Sequence, residues 1–99
     1  MTLVGAGGVV IHRWKKQRVF HRDYGKLEID MRDKVDECLQ DLLRQPFPLG
    51  LRFEKLKGKR NPDIYTLHVT GNYKISFEIE NGIAYLRRVA SHDEIDRAP

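Results

Sequence analysis

The chain has one cysteine, one tryptophan and four prolines in 99 residues. A single thiol, Cys38, closes no internal disulfide and offers no CxxC pair for zinc or redox chemistry. Long apolar runs are also missing. The longest uncharged stretch, from Met1 to Ile11, is interrupted by glycines and falls well short of a membrane span. That stretch lacks the basic start and small-residue cleavage site of a secretion signal, so the expected location is the cytoplasm. There is no internal repeat and no low-complexity tract. The length predicts one domain over residues 1–99, with the small, Gly-rich residues 1–8 as a flexible terminus.

What is present is charge, and it is unevenly placed. Lysine and arginine total 18 against 14 acids, a formal net charge of +4. Residues 12–26 carry Arg13, Lys15, Lys16, Arg18, Arg22 and Lys26 against one acid, Asp23. Residues 52–60 carry Arg52, Lys55, Lys57, Lys59 and Arg60 against Glu54. Most acids lie in residues 28–41 and near the C-terminus. Such separation suits a polyanionic partner, nucleic acid or an acidic protein, although a solvated basic surface has the same composition.

The hydropathy pattern gives the elements. Val9–Arg13 is rich in β-branched residues and reads as a first strand. Phe20, Tyr24 and Leu27 recur at steps of four and three, a short helix weakened by Gly25. A longer helix follows, with Leu27, Met31, Val35, Cys38, Leu39, Leu42 and Leu43 as its apolar stripe. Asp30 is its expected cap, Glu28–Arg32 and Asp30–Lys34 its expected ion pairs, and Pro46 and Pro48 its stop. Cys38 lies on the stripe and reads as a small core residue. From Leu51 the period turns strand-like. Leu51, Phe53 and Lys55 open a strand, and residues 58–63 form a loop. Tyr65, Leu67 and Val69 alternate with Thr66, His68 and Thr70. Gly71-Asn72 turns the chain, and Tyr73, Ile75, Phe77 and Ile79 alternate with Lys74, Ser76, Glu78 and Glu80 as a half-buried strand. Asn81-Gly82 is a strong hairpin signal, and Ile83–Ala90 is the last strand. Ser91–Pro99 reads as a polar tail. The fold class is α+β in the order β-α-α-β-β-β, a twisted antiparallel sheet with a two-helix hairpin on one face.

Several segments in that order carry a resemblance. They are Tyr24-Gly25-Lys26-Leu27, Leu56-Lys57-Gly58, Asp63-Ile64-Tyr65-Thr66-Leu67-His68-Val69, Gly71-Asn72-Tyr73-Lys74-Ile75-Ser76-Phe77 and Val89-Ala90-Ser91-His92-Asp93-Glu94. Together they make Phe20–Asp96 resemble the RelE/ParE superfamily of bacterial and archaeal toxin–antitoxin toxins. The resemblance implies a small antiparallel sheet carrying a helical hairpin and one of two activities. RelE-like toxins are metal-independent endoribonucleases, many of which cut mRNA on the ribosome. ParE-like toxins poison DNA gyrase and have no nuclease site. Both kinds bind a cognate antitoxin in a hetero-oligomer, and neither requires a cofactor.

Metal-free RNA cleavage uses the 2′-hydroxyl as nucleophile, with a base, an acid and fixed cations around the phosphorane. Histidine serves either proton role near neutrality, and Lys or Arg stabilises the charge. The acids and histidines show no zinc or magnesium ligand spacing. The resemblance implies His92, at the end of the last strand, and His68 as catalytic residues, with Lys74 at a phosphate-binding position. Asp93 and Glu94 are expected to orient the His92 ring or to cap the tail. Lys55, Lys57, Lys59 and Arg60 are the expected RNA-docking residues. Arg87 and Arg88, adjacent on a strand, are expected on opposite faces, and the one on the face carrying His68 is expected to bind RNA phosphate. Tyr65 and Tyr73 read as core, Tyr85 as a possible base-stacking ring, Trp14 as an anchor of the first strand, and His12 and His21 as surface residues. Two departures stand out. The tail lacks the tyrosine many such ribonucleases carry, and Thr66, His68 and Lys74 stand where ribosome-dependent members are denser in Lys and Arg. The leading expectation is an mRNA-cleaving toxin. The alternatives are a gyrase inhibitor, or a degenerate toxin that only binds partners.

Overall fold

The computed structural model describes residues 10–44, 51–56, 58 and 62–99. In chain order the elements are β1 (Arg13–Lys16), α1 (Arg18–Gly25), α2 (Ile29–Leu42), β2 (Glu54–Lys55), β3 (Tyr65–His68), β4 (Tyr73–Glu80), β5 (Ile83–Ser91) and α3 (His92–Arg97). They form one five-stranded sheet in the order β1-β5-β4-β3-β2. β2 to β5 pair antiparallel, as the alternation predicts. The sheet is nevertheless mixed, because β1 pairs parallel to β5, with Trp14 opposite Ala84 and Lys16 opposite Leu86.

One face of the sheet carries α1 and α2. Leu67, Ile75, Phe77, Ala84, Leu86 and Val89 from the strands meet Phe20, Val35, Leu39 and Leu42 from the helices, and all are buried. The stripe on α2 therefore does what its spacing implies. Cys38 packs against this core, and its Sγ contacts the His68 carbonyl oxygen at 3.7 Å. Burial, then Asp41 and Glu37, raise its thiol to about 11. Trp14 anchors β1 as expected, donating from Nε1 to the Leu39 carbonyl at 3.1 Å.

The local differences from the sequence reading have physical causes. β1 runs from Arg13 to Lys16 and shares only Arg13 with the expected Val9–Arg13 strand; Ile11 is drawn into the core, and the His12 N–H makes one backbone bond, to the Gly82 carbonyl. The N-cap of α2 is Glu28, not Asp30, and it makes no side-chain cap. Arg32 is turned from Glu28 toward the end of α1, donating to the carbonyls of Tyr24 (3.3 Å) and Gly25 (2.9 Å). Those carbonyls lie in the last turn of α1, where helical N–H donors run out; Tyr24 also accepts from the Leu27 N–H at 3.1 Å, and the guanidinium supplies the further donors there. Helix α2 ends at Leu42, and Pro46 and Pro48 fall outside the described residues.

The largest difference is the segment read as a polar tail. Residues His92–Arg97 form a helix whose N-cap is Ser91, with Ser91 Oγ accepting from the Glu94 N–H at 3.3 Å. Ser-x-x-Glu is a capping-box spacing, so the start of this helix is written in the sequence. Ile95 is fully buried. Helix α3 folds back over the second face of the sheet, and β4 is consequently not half-buried: Lys74, Ile75, Ser76 and Phe77 are all buried. No helix among the described residues is long and apolar enough to cross a membrane.

Candidate functional site

The site lies on the sheet face under α3. Directly opposed residues share a face, so the register gives two rows: His68–Lys74–Ala90 and Thr66–Ser76–Arg88. The Thr70 hydroxyl closes the turn that brings His68 opposite Lys74, accepting from the N–H groups of Asn72 (3.1 Å) and Tyr73 (3.2 Å). His92 is delivered to the same end of the sheet by its own N–H, which donates to the Asn72 carbonyl at 2.6 Å. The rings of His68 and His92 come within 6.2 Å, centroid to centroid. Two residues 24 positions apart in sequence thus meet across one hairpin and one strand end.

Their environments differ. Burial, followed by the positive charges of Arg52 and Lys74, holds His68 below its ordinary histidine value; Glu54 opposes this weakly. His68 is therefore neutral at pH 7, with a nitrogen able to accept a proton. His92 Nδ1 lies 3.0 Å from Asp96 Oδ2, one helical turn on, and 3.9 Å from Asp93. Asp96 is thus the carboxylate that orients the ring, in place of the expected Asp93 or Glu94. Asp96 also accepts from Lys74 Nζ at 3.2 Å, and the Lys74 side chain is only 5% exposed. One carboxylate joins His92 to the buried lysine.

The arginines correct another expectation. Ser76 opposes Arg88 and Phe77 opposes Leu86, so Arg87 is an extra residue, a β-bulge. The bulge cancels the alternation that would have sent Arg87 and Arg88 to opposite faces. Arg87 pairs with Glu78 and donates to the Pro99 carbonyl at 3.4 Å. Arg88 donates to both carboxylate oxygens of Asp23 (3.0 and 3.2 Å) and to the Ala98 carbonyl (3.2 Å). Asp23 is buried on α1 and also accepts the Val89 N–H at 3.2 Å, sealing the edge of β5 beyond the last residue of β1. Arg88 is therefore a tie between α1, β5 and α3.

The docking residues are more scattered. Lys57, Lys59 and Arg60 lie outside the described residues. Lys55 pairs with Asp63 at 3.4 Å, and its register partner is Tyr65, on the core side; Glu54, opposite Thr66, is the β2 residue in line with the site. Sequence reasoning passed over Arg52, an exposed cation that acts on His68 and has a left-handed backbone (φ +51°). It also passed over Asp23, Ser76 and Asp96. Four buried polar atoms without hydrogen-bond partners among the described residues are Thr66 Oγ1, Ser76 Oγ, His68 Nδ1 and Arg87 Nε. Three belong to the two site rows and the fourth to the neighbouring bulge. Buried unpaired polar atoms are uncommon, and here they cluster on the sheet face that α3 covers.

No family model matches the sequence. No curated protein matches it. Solved structures do. A chain of the E. coli DinJ–YafQ toxin–antitoxin complex superposes with a TM-score of 0.70 at 14% identity, covering 86% of this chain and 98% of that one. In the RelB–RelE antitoxin–toxin complex from Methanococcus jannaschii a chain matches at 0.66 and 22% identity, covering 85% and 96%. The YoeB/ParE toxin from Agrobacterium tumefaciens matches at 0.66 and 15%, covering 81% and 98%. The mixed sheet, the helical hairpin on its inner face and the C-terminal helix on its outer face are together the RelE-like toxin fold.

Proposed function

We propose that the protein is the toxin of a type II toxin–antitoxin pair, a metal-independent endoribonuclease that cleaves mRNA on the ribosome in the cytoplasm. A cognate antitoxin binds it in a hetero-oligomer. The observation that carries this reading is the His68–His92 pair beside Lys74, two imidazoles 6.2 Å apart in unlike surroundings. Neutral His68 takes the proton of the 2′-hydroxyl. The 2′-oxygen attacks phosphorus, the bond to the 5′-oxygen breaks, and His92 returns a proton to that oxygen. The products are a 2′,3′-cyclic phosphate and a 5′-hydroxyl. Lys74 and Arg52 supply positive charge beside the base, and the phosphate takes the place of Asp96 at Lys74 Nζ. Antitoxin-bound neighbours of the same fold support the partner assignment.

One observation favours a second reading. Lys74, Arg87 and Arg88 each spend their charge on an acid of the same chain. A gyrase inhibitor or a purely partner-binding module needs none of them free. Primer extension on a reporter message after brief induction separates the readings. New 5′ ends inside the reading frame, lost in His92→Ala and in His68→Ala, support the ribonuclease. Growth arrest with intact message and inhibited supercoiling establishes the gyrase reading, and no arrest at all establishes the binding module.

A further inference from the structure

The basic segment at residues 12–26 takes no part in the histidine site above, yet the fold lays it along one edge of the sheet, β1 first and α1 after it. Strand β1 runs parallel along β5 as far as Leu86, and the Gln17 N–H extends the ladder by donating to the Leu86 carbonyl at 3.0 Å. Helix α1 then continues along the same edge, with Asp23 bonded at Val89. Arg13, Lys15, Arg18 and Arg22 are exposed along this edge, and none forms an ion pair among the described residues. The lone acid of the segment, Asp23, is buried and committed to Arg88, so it offsets none of them.

The strip borders an uncovered part of the sheet. Helix α3 and the residues after it lie over the His68 and Ser76 rows and reach Arg87 through Pro99. The next row is Lys15–Tyr85–Glu78, with Tyr85 on the face opposite the core and half-exposed. Its hydroxyl makes no hydrogen bond among the described residues, and Glu78 is already paired with Arg87. A flat ring with a cation beside it, followed by further cations along an edge, fits the alternating base and phosphate of a single strand. Arg13 and Lys15 stand two strand residues apart, about 7 Å, and Arg18 and Arg22 one helical turn apart. The row beyond, Arg13–Ile83–Glu80, ends on an acid, which bounds the path at the hairpin.

We propose that Tyr85, Lys15, Arg13, Arg18 and Arg22 form a second binding surface, which holds single-stranded RNA at nucleotides away from the scissile bond. The inference rests on the ribonuclease reading for its choice of RNA, and its test does not depend on cleavage. Fluorescence anisotropy with 2′-O-methyl oligomers, which lack the attacking hydroxyl, reads binding alone. The wild-type protein is expected to bind a single-stranded 12-mer much more tightly than a 4-mer. Lys15→Glu/Arg18→Glu is expected to weaken the 12-mer at least about tenfold, to leave the 4-mer unchanged and to lower the salt slope by about 1.4. Tyr85→Leu is expected to weaken the 12-mer about tenfold with the slope unchanged, whereas Tyr85→Phe keeps the ring and the affinity. Equal affinity for 12-mer and 4-mer, wild-type binding by the folded charge variant, or tighter binding of a duplex than of the single strand each overturns the proposal. If the strip behaves as expected while no message is cut in cells, the ribonuclease reading fails and the binding surface stands. If message is cut but the strip variants bind normally, the reverse holds.

Discussion

Asp23 makes the sharpest demand on the fold, because one carboxylate serves a guanidinium and a backbone amide at once. It is 6% exposed, and its partner Arg88 is 21% exposed. Replacing it by alanine removes the nearer acid of Arg88, which keeps only Glu94 at 3.7 Å and the Ala98 carbonyl, and leaves the Val89 N–H without its acceptor. Removing one member of a buried pair costs about 3–5 kcal/mol, and an unmade buried backbone bond about 1–3. Water reaches the Arg88 side, which discounts the first figure, so we expect Asp23→Ala to lose about 3 kcal/mol. Asp23→Asn keeps an acceptor for Val89 and should lose about 1–2. Against a total of about 5–15 kcal/mol the alanine loss is severe, and in a chain of this size it corresponds to a melting point lower by more than about 10 °C. Urea unfolding of wild type, Asp23→Ala, Arg88→Met and the double variant measures it. The two single losses should overlap, with a coupling of about 1.5 kcal/mol or more. An Asp23→Ala protein within about 0.5 kcal/mol of wild type, or additive losses, would refute the role given to this pair.

Three other expectations follow from the same structure. His68 has a folded value below its ordinary one. The unfolded chain therefore binds the extra proton first, and stability is full above about pH 6.5 and declines as pH falls toward the folded value. NMR titration should place the His68 midpoint below 6.5, and His68→Gln should flatten that part of the stability profile; a midpoint at or above 6.5 contradicts the assignment of His68 as a neutral base. The Cys38 thiol, raised to about 11, is thiolate in only about one molecule in a thousand at pH 8. Iodoacetamide should label the native protein far more slowly than the urea-unfolded chain, and equal rates would mean the thiol is not held by the core. Gly82 has φ +76°, and an added Cβ would lie 2.6 Å from the His12 ring. Gly82→Ala should cost about 1–2 kcal/mol in the same urea assay, mostly as backbone strain with a smaller part from moving His12. A variant as stable as wild type would show that the turn has relaxed to another type.

The parts of this fold visible in sequence are those where period and packing agree. The α2 stripe, the β3–β4–β5 meander and the Asn81-Gly82 turn were all legible, because apolar residues recur at the period of each element and Asn-Gly suits the positive φ of the turn. The parallel strand β1 was not, since parallel pairing joins residues 70 positions apart, Arg13 with Ile83, and leaves no local mark. Helix α3 was missed because its single buried residue, Ile95, is too little for a periodic signal; its Ser91–Glu94 cap was the readable clue. That omission propagated to the site. Without α3, Lys74 and Ser76 look solvated and Asp96 looks irrelevant. The resemblance puts His68 and His92 at positions that the fold brings within 6.2 Å, whereas ion pairing depends on which side chain arrives from elsewhere. Arg88 illustrates the limit: its partner Asp23 lies 65 residues away, in a segment whose composition is otherwise basic.

The extra residue in β5 divides that strand into two reading frames. Before it, Ile83 and Tyr85 look outward and Ala84 and Leu86 inward; after it, Arg88 and Ala90 look outward and Val89 inward. Strike out Arg87 and the frames merge into one unbroken alternation in which every remaining residue keeps its side. The inward-facing order Ala84, Leu86, Val89 is therefore the same with position 87 counted or left out. The outer face is not indifferent, because Glu78 and the Pro99 carbonyl both meet the chain there. A strand built this way adds an outer-face contact to Glu78 and the chain end without shifting the inward-facing residues on either side of it.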